Sequence, residues 1–93
     1  ASILINENYD SDVLVDMESF FARLVPDGDR LFIHTSEGPD DMPAHIRSAL
    51  TQTSISIPFV DGKVALGTWQ GIFLYEHRLA SHTRNVLLHL IAE

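Results

Sequence analysis

The chain has 93 residues, a formal net charge of −7 from 13 acidic and 6 basic side chains, and no cysteine. This length suits one small domain, and the acidic balance disfavours nucleic acid or an anionic membrane surface as a partner. The lack of cysteine excludes disulfides and thiolate metal ligands. No apolar run approaches the roughly 18 residues of a transmembrane helix, and the first residues do not read as a signal peptide, so we expect a cytoplasmic protein.

The first part of the chain predicts a strand and then an amphipathic helix. Residues 1–5 form an apolar, β-branched run that is typical of a strand, and polar residues 6–10 end it. A helix begins at Asp10 or Ser11 and runs to about Leu24, with apolar side chains at helical spacing. Because the chain opens inside a strand and without Met, we expect it to be the later part of a longer domain.

A loop rich in ionisable residues follows. Residues 30–34 predict a short strand that ends at His34. Asp40 or Asp41 is the expected N-cap of a helix over residues 43–50. His45 would then lie in the first turn, where the positive end of the helix dipole keeps the imidazole neutral and able to bind a metal.

The last forty residues predict β-structure only. Four strands are expected, over residues 54–60, 64–67, 72–77 and 85–92, the last of them apolar on both faces as an interior strand is. The pair Asp61-Gly62 suits the two positive-φ positions of a type I′ hairpin turn. Residues 68–71 interrupt the alternation and predict a bend or a bulge. The fold class that follows is α+β, in one domain over residues 1–93.

Two imidazoles and three carboxylates fall within positions 34–46: His34, Glu37, Asp40, Asp41 and His45. Neutral imidazole and carboxylate suit zinc or a similar ion, although a catalytic zinc site takes three protein ligands and two histidines fall short of that count. The carboxylates would orient the imidazoles or act as a general base. The alternative is a structural one, in which the histidines bond to loop backbone, one Asp caps the helix and Glu37 is solvated.

Polar side chains elsewhere are ambiguous. Asn6 and Asn8 follow the first strand, where turn chemistry explains them as well as a site does. Trp69 would either fill the core or line a pocket. Gln70 would either satisfy backbone groups at a bulge or face a pocket.

Glu76 shares a strand face with apolar Ile72 and Leu74. If that face is the core, the carboxylate needs His or Arg as a partner; otherwise the strand has already ended there. Between apolar neighbours, His89 is expected to be a hydrogen-bonded interior residue, whereas His82 is expected to be solvated.

Three segments, 5–10, 37–46 and 66–72, closely resemble the YjbQ family of small bacterial and archaeal proteins, often named secondary thiamine-phosphate synthase. The resemblance covers the whole chain, including residues 76–78 and 90–93. It implies a mixed β-sheet curled into a half-barrel with helices packed on one side, assembled as a homotrimer. It also implies a pocket that binds a divalent metal ion, zinc being the first choice.

Carried over by position, the resemblance implies His34 and His45 as metal ligands, with Glu37 and Asp41 near them. We expect Glu37, Asp41 and Gln70 to be catalytic and Asn6, Asn8, Trp69 and Glu76 to bind substrate. The family has a further His shortly before the opening strand, so a third ligand is expected upstream of residue 1.

Two functions follow as expectations. The first is a metal-dependent transferase that joins a pyrimidine-methyl group to thiazole phosphate and releases pyrophosphate. Because the chain has no Gly-rich phosphate loop and few cations, a phosphorylated substrate would need a metal to bridge it to the carboxylates. The second is a trimeric metal- or small-molecule-binding protein without this turnover.

Overall fold

The computed structural model describes residues 1–92 and has the α+β composition that the sequence predicts. Its two helices are α1 (Ser11–Leu24) and α2 (Asp41–Leu50). Its strands are β1 (Ser2–Glu7), β2 (Phe59–Val60), β3 (Lys63–Val64) and β4 (Gln70–Tyr75). Strands β1 and β4 form one antiparallel pair and β2 and β3 form another. The described strands thus make two small sheets, and the half-barrel stays a prediction.

The β1–β4 ladder places the start of the chain beside the end of β4. It runs from the pair Ser2–Tyr75 to the pair Glu7–Gln70, so β1 continues through two residues that were expected to form a turn. One face of the ladder packs towards α1, where the rings of Phe21 and Tyr75 lie 5.6 Å apart. The register therefore carries the residues that follow Tyr75 to the same end of the sheet as Ser2.

Helix α1 begins where the sequence predicts, because the Asp10 side chain accepts the backbone N–H of Asp12 at 2.9 Å. Helix α2 begins earlier than predicted, at Asp41. Asp40 occupies its N-cap position but makes no capping hydrogen bond with its side chain. The expectation that His45 lies in the first turn is therefore wrong: it is the fifth helical residue, one turn above Asp41.

Four of the predicted strands are absent or short. Residues 30 and 31 form a turn instead, because Asp29 accepts the N–H of Leu31 on its side chain and that of Phe32 on its carbonyl, and residues 32–34 are irregular. Of the strand expected over residues 64–67, only Val64 is paired, in β3. Of residues 54–60 only the last two pair, and residues 85–92 are irregular and exposed. Alternating apolar residues mark a surface suited to a sheet but do not supply the neighbouring strand that completes a ladder. His89 is accordingly exposed, which corrects its assignment to the interior, while His82 is exposed as expected.

The predicted hairpin turn is confirmed. Asp61 and Gly62 both have positive φ, 53° and 75°, as a type I′ turn requires. The predicted interruption at residues 68–71 is shorter than expected: only residues 68–69 form a turn, closed by a hydrogen bond from the N–H of Gln70 to the carbonyl of Gly67 at 3.1 Å, and residues 70 and 71 already belong to β4. Strand β4 follows directly and ends at Tyr75, two residues before the predicted end.

Helix α2 is held to the rest of the molecule by a buried arginine. The Arg47 guanidinium donates to the carbonyls of Val25, at 2.7 Å, and His77, at 3.3 Å. The Asp27 carboxylate lies 3.6 Å from the same guanidinium. One side chain thus joins the end of α1, the middle of α2 and the segment after β4.

His77 lies in this polar interior with only 3% of its surface exposed. Its Nε2 is hydrogen bonded to the Ser2 hydroxyl at 2.7 Å, and that hydroxyl also contacts the hydroxyl of Thr51, at the end of α2. Burial, with the nearby positive charge of Arg47, lowers the pKa of His77 to about 4. The folded protein therefore keeps this imidazole neutral at neutral and mildly acidic pH.

Neither helix is long and apolar enough to cross a bilayer, and the same holds for every helical segment among residues 1–92.

The depressed pKa of His77 predicts acid sensitivity of the fold. In the unfolded chain His77 binds a proton below about pH 6.5, whereas in the folded chain it does so only below about pH 4. The contribution of neutral His77 to the free energy of unfolding is therefore fully present above about pH 6.5 and is lost as the pH falls from about 6.5 to about 4. The free energy of unfolding should drop by up to about 2 kcal/mol from pH 7 to pH 5, measured by urea titration. His77→Gln should shrink this drop, and the control His89→Gln should keep it because His77 is intact. An undiminished drop in His77→Gln would contradict the assignment.

Candidate metal centre

Four ionisable side chains converge where the loop before α2 meets the first turns of the helix. They are His34, Glu37, Asp41 and His45, and each offers one donor atom within 4.8 Å of the others. All four were singled out from the sequence. The structure brings the two histidines together although eleven positions separate them.

Asp41 is the centre of this cluster. Its Oδ2 accepts a hydrogen bond from Nε2 of His34 at 2.7 Å and from Nε2 of His45 at 3.2 Å. Asp41 is 6% exposed, whereas the two imidazoles are partly open to solvent. The rings meet edge to face with their centroids 5.4 Å apart. Two imidazole nitrogens therefore point at one carboxylate oxygen.

Helix periodicity and a tight turn produce this arrangement. His45 follows Asp41 by four residues, so both side chains lie on the same face of α2. The loop reverses at Gly38, whose φ of 104° lies in the left-handed region that favours glycine. The N–H of Gly38 donates to the carbonyl of Thr35 at 3.3 Å, which folds His34 back towards the start of the helix.

The electrostatics keep Asp41 ionised. Its hydrogen bond from His34 lowers the pKa of this carboxyl, with smaller contributions from Glu37, Arg78 and His45, against the opposing effect of burial. The Glu37 carboxylate, 64% exposed, lies 3.5 Å from Nε2 of His34. The cluster thus presents two imidazoles beside negative charge.

The donor set fits a divalent ion of the zinc type. Imidazole nitrogen and carboxylate oxygen both bind zinc at about 2.0–2.2 Å, so two ligands of one ion lie at most about 4.4 Å apart. The donor atoms of the four side chains lie within 4.8 Å of one another, so the most distant pair has to approach by only a few tenths of an ångström to bind one ion. With Asp41 the number of candidate ligands within residues 1–92 reaches three. The ligand expected upstream of residue 1 stays a prediction.

Arg78 was missed as a component of the centre. Its Nη1 donates to Asp41 Oδ1 at 2.7 Å and its Nε donates to Asp40 Oδ2 at 3.1 Å. The hydrogen bond from Arg78 is the main reason why the pKa of Asp40 is lowered, and the N–H of Leu79 adds to it. The signal for Arg78 in the sequence was that segment 76–78 takes part in the family resemblance. No local pattern predicts that an arginine 37 positions from Asp41 contacts the start of α2.

A cleft of about 220 Å³ opens beside the cluster. Its lining includes the cluster residues Asp41 and His45 together with His77, Arg78 and Arg84. A small molecule in this cleft would lie next to an ion held by the cluster.

Four predicted site residues lie at the far end of the β1–β4 ladder. Gln70 accepts the N–H of Gly67 on its side-chain oxygen at 2.7 Å, which is the backbone role that the sequence left open. The Trp69 ring packs against that of Tyr9 at a tilt of 53° with centroids 4.5 Å apart, and Trp69 is 56% exposed. The other two members of this group are Asn6 and Asn8. The Glu7–Gln70 end of the ladder is five residues, or about 17 Å, from the Ser2–Tyr75 end, so this group and the cluster do not share one pocket within residues 1–92.

Glu76 has the partner that the sequence required. Arg84 donates to its two carboxylate oxygens at 2.7 and 2.9 Å. This pairing lowers the pKa of Glu76 to about 2. The strand face that it continues is half exposed rather than buried, with Ile72 47% and Leu74 51% exposed. Glu76 also accepts the backbone N–H groups of His77 and Arg78, so it fixes the segment that enters the cluster.

A family model described as UPF0047 protein YjbQ-like matches residues 1–93. Among curated proteins, a UPF0047 protein of Synechocystis sp. is 58% identical over 93 residues, which are all of this chain and 63% of the relative. The UPF0047 protein YjbQ of Escherichia coli is 46% identical over the same 93 residues, which are 67% of its length. The chain therefore spans about two thirds of the length of these relatives.

Among solved structures, a YjbQ/UPF0047 family protein of Clostridium acetobutylicum superimposes with a TM-score of 0.65 at 38% sequence identity. The match covers 76% of this chain and 52% of that protein. The described fold is thus similar to about half of the crystallised relative.

Proposed function

The chain belongs to the YjbQ-like UPF0047 family, and from this premise we propose that its cluster of His34, Glu37, Asp41 and His45 binds one divalent metal ion, with zinc as the expected ion. One observation carries the proposal: Nε2 of both histidines is directed at the same oxygen of an ionised, buried aspartate. A cation at that position would replace the two N–H protons and gain three ligands at once.

Each residue would have a distinct part in such a centre. His34, Asp41 and His45 would hold the ion, which when bound supplies a Lewis acid. The Glu37 side chain is the most exposed of the four cluster side chains, at 64%. It would either complete the ligand set or take a proton from a molecule in the adjoining cleft.

For the chemistry, we propose the reaction that the family resemblance implies, transfer of a pyrimidine-methyl group to thiazole phosphate with release of pyrophosphate. An ion held by Asp41 would lie beside the cleft and could bridge diphosphate oxygens to the carboxylates. In this proposal the cleft binds the substrate and the cluster neutralises its charge.

A second candidate is metal or small-molecule binding without this turnover. Both arginines that line the cleft are already hydrogen bonded to carboxylates, Arg78 to Asp40 and Asp41 and Arg84 to Glu76. Their charges are therefore largely compensated, which makes the cleft a weaker site for a phosphorylated substrate than a pair of uncompensated arginines would be.

The metal proposal is tested by metal analysis of untagged protein incubated with zinc and then desalted. We expect about one zinc ion per chain by plasma mass spectrometry, and loss of that zinc in the double variant His34→Ala/His45→Ala because two of the ligands are gone. The matched control is His82→Ala/His89→Ala, which removes two exposed histidines outside the cluster and should keep the zinc. Zinc retained by the first variant, or absent from the wild-type protein, would refute the metal centre.

The enzyme and the binding protein are separated by complementation of a thiamine auxotroph with the full-length protein. If the proposed transferase is right, the wild-type protein restores growth and His45→Ala does not, because the ion is lost. The control His82→Ala should restore growth. Failure of the wild-type protein, in cells shown to express it, would favour binding without turnover.

A cytoplasmic homotrimer is part of the proposal. The support is exposed apolar surface on one face of the β1–β4 sheet, where Ile72 and Leu74 are about half exposed, and along residues 86–91. Sedimentation velocity should give a trimer mass that Leu74→Asp lowers and that the control Val15→Asp, an exposed position on α1, leaves unchanged. A monomer mass for the wild-type protein would contradict the assembly.

A further inference from the structure

We propose that Arg78 is a positioning residue of the metal centre: it occupies Oδ1 of Asp41 and thereby makes this aspartate a ligand through Oδ2 alone. The inference rests on the proposed metal site and adds to it the mode in which the carboxylate binds.

The two oxygens of Asp41 have different partners. Oδ1 accepts from Arg78 Nη1 at 2.7 Å, while Oδ2 accepts from the two imidazoles. A charge-assisted bond of this length opposes rotation of the carboxylate about its last torsion. Oδ2 therefore stays directed at the histidines, and Oδ1 stays unavailable to an ion bound between them.

The guanidinium is itself held from several sides. Its Nε donates to Asp40 at 3.1 Å and its Nη2 donates to the carbonyl of Glu37 at 3.0 Å, so every one of its nitrogens has a partner on the loop that carries the cluster. A planar fork bound at three points has a fixed orientation, which a lysine ammonium with its single nitrogen does not have.

The backbone around Arg78 is also anchored. The carboxylate of Glu76 accepts the N–H of Arg78 at 3.1 Å, and Asp40 accepts the N–H of Leu79 at 2.9 Å. The side chain thus starts from a fixed backbone and ends on a fixed loop. This makes Arg78 a rigid brace between the segment after β4 and the start of α2.

Positioning and simple electrostatics predict opposite effects of removing this arginine. A positive charge close to a divalent cation repels it, so loss of the charge alone would strengthen metal binding. Loss of the hydrogen bond that holds Asp41 would weaken metal binding, because the carboxylate would have to be ordered when the ion binds. Partners that orient metal ligands contribute about 10- to 100-fold to metal affinity. Arg78→Gln removes charge and brace, while Arg78→Lys removes the fork and keeps the charge.

The matched control is Arg84→Gln. Arg84 lies in the same segment and also pairs with a carboxylate, that of Glu76, but it makes no described contact with the four cluster residues. This variant removes the same charge near the same cleft and leaves Asp41 braced. Any general effect of charge on metal affinity will appear in it.

The experiment is zinc affinity of the full chain by competition with a chromophoric chelator, with the visible absorption spectrum of the Co²⁺-substituted protein as a second readout. We expect about 10-fold or greater weakening in both Arg78→Gln and Arg78→Lys, a changed Co²⁺ spectrum because the carboxylate is no longer held to one oxygen, and near wild-type values for Arg84→Gln. Thermal unfolding of the metal-free proteins measures any loss of fold separately. If Arg78→Gln does not fold, Arg78→Lys decides the question.

The outcomes separate this inference from the proposal beneath it. Wild-type affinity and an unchanged Co²⁺ spectrum in both Arg78 variants, with binding lost in His34→Ala/His45→Ala, would overturn the positioning role and leave the metal site standing. Tighter binding in Arg78→Gln with no change in Arg78→Lys would show a purely electrostatic effect and also overturn it. A wild-type protein that binds no zinc would overturn both.

Discussion

The carboxylate of Asp41 is the interaction on which this end of the molecule depends. It lies at the first residue of α2, it is buried, and it is bound on one oxygen by two imidazoles and on the other by a guanidinium. A buried carboxylate without such partners would be costly, so its ionised state and the placement of its three neighbours stabilise one another. The proposed cation site rests on that arrangement, because the imidazole nitrogens are directed at a negative oxygen.

Polar contacts rather than a large apolar core bring these partners together. Val25 and Pro43 are the nearly inaccessible apolar residues among those described, whereas Arg47, His77, Asp40 and Asp41 are buried and hydrogen bonded or paired with charges. The β1–β4 register determines where the segment after Tyr75 leaves the sheet, and Arg47 and Arg78 then tie that segment to α2. The position of the candidate site is thus a consequence of strand pairing and of two arginines.

Local signals in the sequence were sufficient for the parts of the structure that local chemistry decides. The cap at Asp10, the hairpin turn at Asp61-Gly62 and the concentration of ligands at positions 34–46 are readable because they involve neighbouring residues. The strand predictions for residues 30–34 and 85–92 were wrong, because a strand needs a neighbouring strand to pair with and hydrophobic periodicity does not identify one. Arg78 was missed for the same reason, and the site role expected for the residues near Gln70 stays a prediction.

The measurement that tests the central claim most directly is an anomalous difference map at the zinc absorption edge, from crystals of the full chain grown with zinc. The account predicts one strong peak within about 2.0–2.2 Å of Nε2 of His34, Nε2 of His45 and Oδ2 of Asp41, with Arg78 still on Oδ1. The absence of a peak there, with these side chains hydrogen bonded to one another instead, would contradict it.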